Sequence, residues 1–282
     1  MNIYEAIILG IIQGLTEFLP ISSTAHLTLA GKFLGLISEE SPQSWTAFMA
    51  VIQLGTMLAV LIYFKSDLLK ILSQFVKDNL FYRKKFQEQN FDSKLGWYII
   101  WGSIPVIVIG LLFKDYIEGA FTKNLFVISL SLIILAIILA LAEKISQLNK
   151  DEKELGVLSS IIIGIAQSLA LIPGSSRSGT TITAGLFLGF KREVAAKFSF
   201  LLSIPAVLGS GLLEFYQSLE NFNQVEFTNI IVGTIVSAIS GYLAIHFLLT
   251  FLKKHTTFIF IYYRIIIGIV ILVLIFTNVI KP

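Results

Sequence analysis

Two long apolar stretches of this chain are each broken by a proline and loaded with polar residues, and they limit its folding more than any other feature. The first, Gly10–Ala30, reads GIIQGLTEFLPISSTAHLTLA and breaks at Pro20. The second, Gly164–Gly185, reads GIAQSLALIPGSSRSGTTITAG and breaks at Pro173-Gly174. Proline removes a backbone donor and disfavours helix at the residue before it. A non-helical break within apolar sequence survives only where protein or a water-filled cavity surrounds it. The two stretches are therefore expected to face each other across one polar site. Composition supplies the setting. The chain is 55% hydrophobic and 14% charged, against about 25% charged residues in a soluble domain, and its mean hydropathy is +0.83. This predicts an all-α polytopic membrane protein, residues 1–282 forming one integral membrane domain. At about 20 apolar residues per span there is room for roughly six to eight segments.

The chain contains no cysteine, which excludes disulfides and thiolate metal sites. Its net charge of +3 reports topology rather than nucleic-acid binding, for which nothing speaks. The opening MNIYEAIILG lacks the basic region and small-residue cleavage site of a signal peptide. Residues 3–36 and 155–190 are expected to form re-entrant helix–loop–helix segments. Full spans are expected at residues 45–64, 95–113, 125–142, 198–217, 229–252 and 258–279. Residues 65–94 read either as an amphipathic surface helix or as an ordinary basic loop. Short polar loops are expected at 38–44, 114–123, 143–154 and 218–226. Counting Lys and Arg puts residues 65–94, 143–154, 191–197 and 253–254 in the cytoplasm and both termini outside.

With that topology the two broken stretches enter from opposite faces. Gly10 aligns with Gly164, Gln13 with Gln167, Pro20 with Pro173, Ser22-Ser23 with Ser175-Ser176 and Ala30-Gly31 with Ala184-Gly185, at a constant offset to within one residue. This is the pattern of an inverted-topology repeat. Ser-Ile-Pro recurs at Ser103–Pro105 and Ser203–Pro205, and Gly-Thr at Gly55-Thr56 and Gly233-Thr234. Their order is swapped, which either reflects interleaved halves or is chance.

Gln13 and Glu17 are four apart and share a helix face. A carboxylate at membrane depth needs a partner, so Glu17 is a candidate metal ligand or proton-transfer group; the plainer alternative is a side chain reaching the interface. Ser22, Ser23 and Thr24 restart the helix and one of them is expected to cap it. His26 follows Ser23 by three residues, a spacing open to a nucleophile–base pair. In Pro173–Thr181 the hydroxyls of Ser175, Ser176, Ser178, Thr180 and Thr181 surround Arg177. A guanidinium forks onto phosphate oxygens and freed helix-start amides attract anions. The alternative is a structural pair, with Glu17 as the carboxylate that Arg177 meets when the site is empty.

QGLTEFLPISSTAH and PGSSRSGTT resemble the two motifs of the undecaprenyl-diphosphatase family, the bacitracin-resistance lipid phosphatases of bacterial membranes. The resemblance covers essentially the whole chain. Gln13 stands where many members have Glu, and Ala25 where many have Gly. The family's implicated residues map onto Glu17, Ser23, His26, Ser176, Arg177 and Thr181. The resemblance implies hydrolysis of undecaprenyl diphosphate to the monophosphate and inorganic phosphate in the bacterial cytoplasmic membrane. That activity would recycle the lipid carrier for cell-wall synthesis and confer bacitracin resistance. A divalent cation, Mg2+ or Ca2+, would sit on Glu17 and Gln13. Ser22, Ser175, Ser176, Arg177, Ser178, Thr180 and Thr181 would hold phosphate. Ser23 would attack with His26 as its base, or His26 would activate water. The site is expected to open to the extracytoplasmic side, with the prenyl lipid and membrane lipids as partners and a homodimer compatible with the sequence. The other function class consistent with broken helices in an inverted repeat is a polyprenyl-phosphate transporter.

Overall fold

A computed structural model describes residues 1–37, 42–113, 124–218 and 224–281. The expected loop at 114–123 and parts of those at 38–44 and 218–226 lie outside these residues. The described residues are helical, with a single isolated bridge between Lys150 and Phe190. The helices are α1 (Ile3–Phe18), α2 (Ser23–Phe33), α3 (Pro42–Tyr63), α4 (Lys65–Val76), α5 (Phe91–Leu112) and α6 (Leu125–Ile145), followed by α7 (Val157–Ser168), α8 (Arg177–Phe187), α9 (Arg192–Ser218), α10 (Gln224–Leu252) and α11 (Phe258–Phe276).

Among the described residues five helices are long and apolar enough to cross a membrane: α5, α6, α9, α10 and α11. The sixth expected span is α3, which bends by 74° into α4. Residues 65–76 are thus a helix rather than a loop. It is amphipathic: Ile71 is buried, Leu69 and Leu72 are exposed, and Phe75 rests against Trp97 of α5 with ring centroids 5.0 Å apart. The chain is a multi-pass helical membrane protein.

The broken stretches fold alike. α2 and α8 are each 11 residues long, about 16 Å at 1.5 Å per residue, half the depth of a bilayer core. Their N-caps are Ser22 and Ser176, whose φ angles of 76° and 67° lie where non-glycine residues are strained, at about 1–3 kcal/mol each. Each cap hydroxyl accepts from an amide three residues on, Ala25 or Gly179. Each helix ends at a leucine, Leu34 or Leu188, followed by a glycine with positive φ, Gly35 or Gly189.

The two halves interleave. α1 packs most extensively on α10, and α7 packs most extensively on α5. Matching glycines make both crossings close: a Cβ on Gly10 would meet the Gly233 carbonyl oxygen at 2.5 Å, and one on Gly164 would strike that of Gly102. This accounts for the swapped motif order. Gly55 of α3 lies against Thr234 of α10, so the two Gly-Thr pairs touch. The two Ser-Ile-Pro segments sit on α5 and α9, which pack together, Gly102 lying against Leu202. The motifs mark helices in contact across the halves.

Ion pairs gather the basic segments at one end. Arg192 binds the buried carboxylate of Glu143, which also accepts from the Thr257 hydroxyl at 2.8 Å. Lys197 reaches Asp67 at 3.4 Å and Glu152 at 3.1 Å, and Lys191 reaches Asp151 at 2.6 Å. Asn229 donates to the Met1 carbonyl and Lys32 to that of Lys281, so the chain ends are tied to other segments, the start of α10 and the end of α2.

Candidate active site

Pro20 ends α1 one turn after Glu17, and α2 begins with Ser23, so the break folds Ser23 back onto the end of α1. The Ser23 hydroxyl donates to Glu17 Oε2 at 2.7 Å. Gln13 Nε2 donates to the same oxygen at 3.1 Å. Glu17 Oε1 accepts from Arg177 Nη2 at 3.1 Å and from Gln53 Nε2 at 3.1 Å. The carboxylate, 6% exposed, thus has four donors from α1, α2, α3 and α8. A buried carboxylate is tolerated only with this kind of saturation. The pair with Arg177 joins the two broken stretches, and Arg177 Nη1 also donates to the Ser199 carbonyl at 3.3 Å.

Glu17, Ser23, Gln53 and Arg177 line a cavity of about 230 Å³. Its lining combines polar residues, Glu17, Ser22, Ser23, Thr24, Gln53, Gln167, Ser175, Ser176 and Arg177, with apolar ones, Ala170, Leu171, Ile172, Val106 and Ala206. Val106 and Ala206 each directly follow a Ser-Ile-Pro segment, so the repeated motif delivers one small apolar side chain from α5 and one from α9.

The remaining expected site residues stand behind the wall. Gln13 faces Glu17 and Thr56 rather than the cavity. Ser178 donates to the Leu19 carbonyl and so clips α8 to the first break. Thr180 and Thr181 return their hydroxyls to the Arg177 carbonyl at 3.0 and 2.8 Å, and Thr181 also bonds Ser199 Oγ at 2.6 Å. Their hydroxyls shape the start of α8. The expected Ser23–His26 pairing is not what the structure holds. His26 Nδ1 lies 2.7 Å from the Ser22 carbonyl, and Nε2 lies 2.8 Å from the Tyr263 hydroxyl, with the two rings stacked. A carbonyl only accepts, so Nδ1 carries the proton and Nε2 accepts from Tyr263. The i, i+3 spacing placed the pair on one face, but the strained N-cap turns Ser23 toward Glu17.

Residues 6–270 match the family described as bacitracin resistance protein BacA. The chain belongs to that family. A BacA-family relative from Syntrophobacter fumaroxidans (strain DSM 10017 / MPOB), named undecaprenyl-diphosphatase, is 56% identical over 95% of both chains. Proteins of the same name from Chloroherpeton thalassium and Chlorobium chlorochromatii are 51% identical over 96% of each chain and 48% identical over the full length of each.

Two residues that hold the site of this BacA-family chain together carry no motif in the sequence. Gln53 was one amide in an apolar span, visible only as a polar residue without an evident partner. Arg264 sits in FIFIYYRIIIG, and a charge at that depth should have been read as needing a partner. It is 0% exposed. Its Nη2 donates to the Ser175 carbonyl at 3.0 Å and its Nη1 to the Pro20 carbonyl at 3.5 Å. One guanidinium thus holds both breaks through a backbone carbonyl of each.

Proposed function

We propose that this chain hydrolyses undecaprenyl diphosphate to undecaprenyl phosphate and inorganic phosphate, returning the lipid carrier to cell-wall synthesis and conferring bacitracin resistance. The observation that carries the reading is a buried carboxylate, Glu17, shared by a serine hydroxyl and an arginine at the wall of a cavity that is also lined by apolar side chains. A prenyl diphosphate has matching halves. Its headgroup needs donors and charge neutralisation, and its first isoprene units need an apolar surface.

Phosphoryl transfer demands chiefly positioning and charge stabilisation. Arg177 leaves Glu17 for the diphosphate oxygens, with Ser175 and Ser176 beside it. That exchange leaves Glu17 Oε1 with Gln53 as its remaining donor. Ser23 Oγ attacks the terminal phosphorus, its proton passes to Glu17 Oε2, and the bond to the bridging oxygen breaks, so that undecaprenyl phosphate leaves with the electron pair. Water then attacks the phosphoserine, releasing inorganic phosphate and returning the proton to Ser23. His26 and Tyr263 orient the restart of α2 through the Ser22 carbonyl.

The donor set suits a divalent cation that takes most of its ligands from substrate. Among the described residues no three acidic or imidazole side chains converge, and Glu17 is the acidic residue of the cavity wall, with Gln13 behind it. Mg2+ in particular binds through one or two carboxylates plus phosphate oxygens. Such an ion would neutralise charge on the diphosphate.

The ion-paired basic segments support a cytoplasmic location for that end of the molecule, in the bacterial cytoplasmic membrane, with the Glu17 half of the site reached from outside. The deciding assay is phosphate release from undecaprenyl diphosphate by the purified protein in detergent. Absence of release under any divalent cation would overturn the reading.

A further inference from the structure

Gln167 is the residue of the cavity wall that its surroundings do not explain. It is 1% exposed, and neither Oε1 nor Nε2 has a hydrogen-bond partner among the described residues. Its counterpart in the first stretch, Gln13, donates to Glu17 and Thr56. The sequence gives the reason for the difference. Four residues after Gln13 stands Glu17, and four residues after Gln167 stands Leu171. The second stretch has the amide and lacks the carboxylate.

A buried polar group left unmet costs about 1–3 kcal/mol, whereas an apolar side chain of the same shape would cost nothing there. Gln167 shares this condition with two neighbours. Ser175 Oγ and Arg177 Nε are also buried without a partner, and both residues line the same cavity. All three belong to the second broken stretch. The first stretch presents Glu17 and Ser23 already bonded to each other. The groups of the first stretch are therefore preassembled, whereas the second carries an amide N–H, a hydroxyl and a guanidinium N–H with no acceptor among the described residues. Donors in that combination suit the oxygens of a phosphate.

The position of Gln167 decides which phosphate. The next residues of its own segment that line the cavity are Ala170, Leu171 and Ile172, where the wall turns apolar. Ile172, which lines the cavity, is itself 41% exposed, so the apolar part of the lining reaches the surface of the protein. The terminal phosphate is the one within reach of Ser23. We propose that Gln167 is a specificity-determining residue that holds the other phosphate, the one bonded to the prenyl chain, by donating Nε2–H to a non-bridging oxygen. This rests on the prenyl-diphosphate reading above. The contact persists in the lipid product and is absent from inorganic phosphate.

The test compares wild type with Gln167→Leu and, as an unbranched replacement, Gln167→Met, all purified in detergent. Four quantities are read: KM and kcat for undecaprenyl diphosphate, inhibition by undecaprenyl phosphate, inhibition by inorganic phosphate, and the thermal midpoint. Both variants should raise KM and the inhibition constant of the lipid monophosphate by about 10–100-fold, the range of a hydrogen bond to a charged group. Inhibition by inorganic phosphate should stay as in wild type, and the midpoint should hold or rise, since an unmet buried group has been removed. Unchanged constants for substrate and lipid product, or a lowered midpoint with unchanged constants, would overturn the proposal. Weakened inhibition by inorganic phosphate alone would overturn it too, by moving Gln167 to the terminal phosphate. A wild type that releases no phosphate defeats the hydrolysis reading instead. Direct binding of undecaprenyl phosphate then decides Gln167: weaker binding by both variants sustains it and equal binding ends it.

Discussion

Arg177 Nη2 lies 3.1 Å from Glu17 Oε1, a contact between residues 160 apart in sequence that ties together the two broken stretches. It does two things in the same place. It neutralises two charges that the surroundings could not otherwise tolerate, and it holds the guanidinium of one half against the carboxylate of the other. In the proposed reaction a phosphate entering the cavity would compete with Glu17 for the guanidinium, so the contact would be structural in the free protein and exchangeable in turnover.

Replacing Arg177 by lysine tests that exchange. One ammonium cannot serve Glu17, the Ser199 carbonyl and a phosphate with the planar fork of arginine. We expect Arg177→Lys to lower kcat/KM for undecaprenyl diphosphate by about 100-fold or more. Phosphate release measured across substrate concentrations checks it, and wild-type kinetics would remove Arg177 from the phosphate site.

Ser23→Ala should lower turnover by at least about 100-fold, because it removes the attacking oxygen. Tyr263→Phe should cost far less, about tenfold or below, because His26 keeps its bond to the Ser22 carbonyl and loses one hydroxyl partner. Reversal of that ranking in the phosphate assay would return the proton-transfer role to His26.

Arg264→Met should lower the thermal midpoint in detergent as well as activity. Two carbonyls, Pro20 and Ser175, lose their donor at a buried site, at about 1–3 kcal/mol for each unmet group. Equal stability of the variant would show that the two breaks hold their geometry without this bridge.

The helix crossings predict a contrast between glycines. Gly164→Ala drives a methyl into the Gly102 carbonyl, so α7 and α5 must part; the expected loss is about 1–3 kcal/mol. Gly110→Ala, with nothing within 4 Å of the added carbon, should leave the midpoint unchanged or slightly raised. Thermal unfolding of the two purified variants side by side distinguishes them.

Chelation should abolish most phosphate release, and Mg2+ or Ca2+ should restore it, if the cation on Glu17 and the diphosphate contributes as proposed. Full activity after exhaustive chelation would remove the ion from the reaction and leave charge stabilisation to Arg177.

Much of this architecture was already legible along the chain. Apolar runs with few charges can only be buried in lipid or in each other, so the membrane class and the positions of α3, α5, α6, α9, α10 and α11 follow from local composition. The two proline breaks, the repeat relating Gln13 to Gln167, and Glu17, Ser23 and Arg177 as site residues follow from local pattern too, because polar groups at depth need one another. Which groups meet was decided by tertiary structure. Spacing put Ser23 and His26 on one helix face, but the positive φ at Ser22 and the approach of α11 sent Ser23 to Glu17 and His26 to Tyr263. Gln53 joined the carboxylate only because α3 packs beside α1, and Arg264 bridged both breaks only because α11 passes between them. Sequence periodicity states which way a side chain faces from its own helix. What stands opposite depends on how the halves interleave, through contacts far apart in the chain that no local pattern encodes.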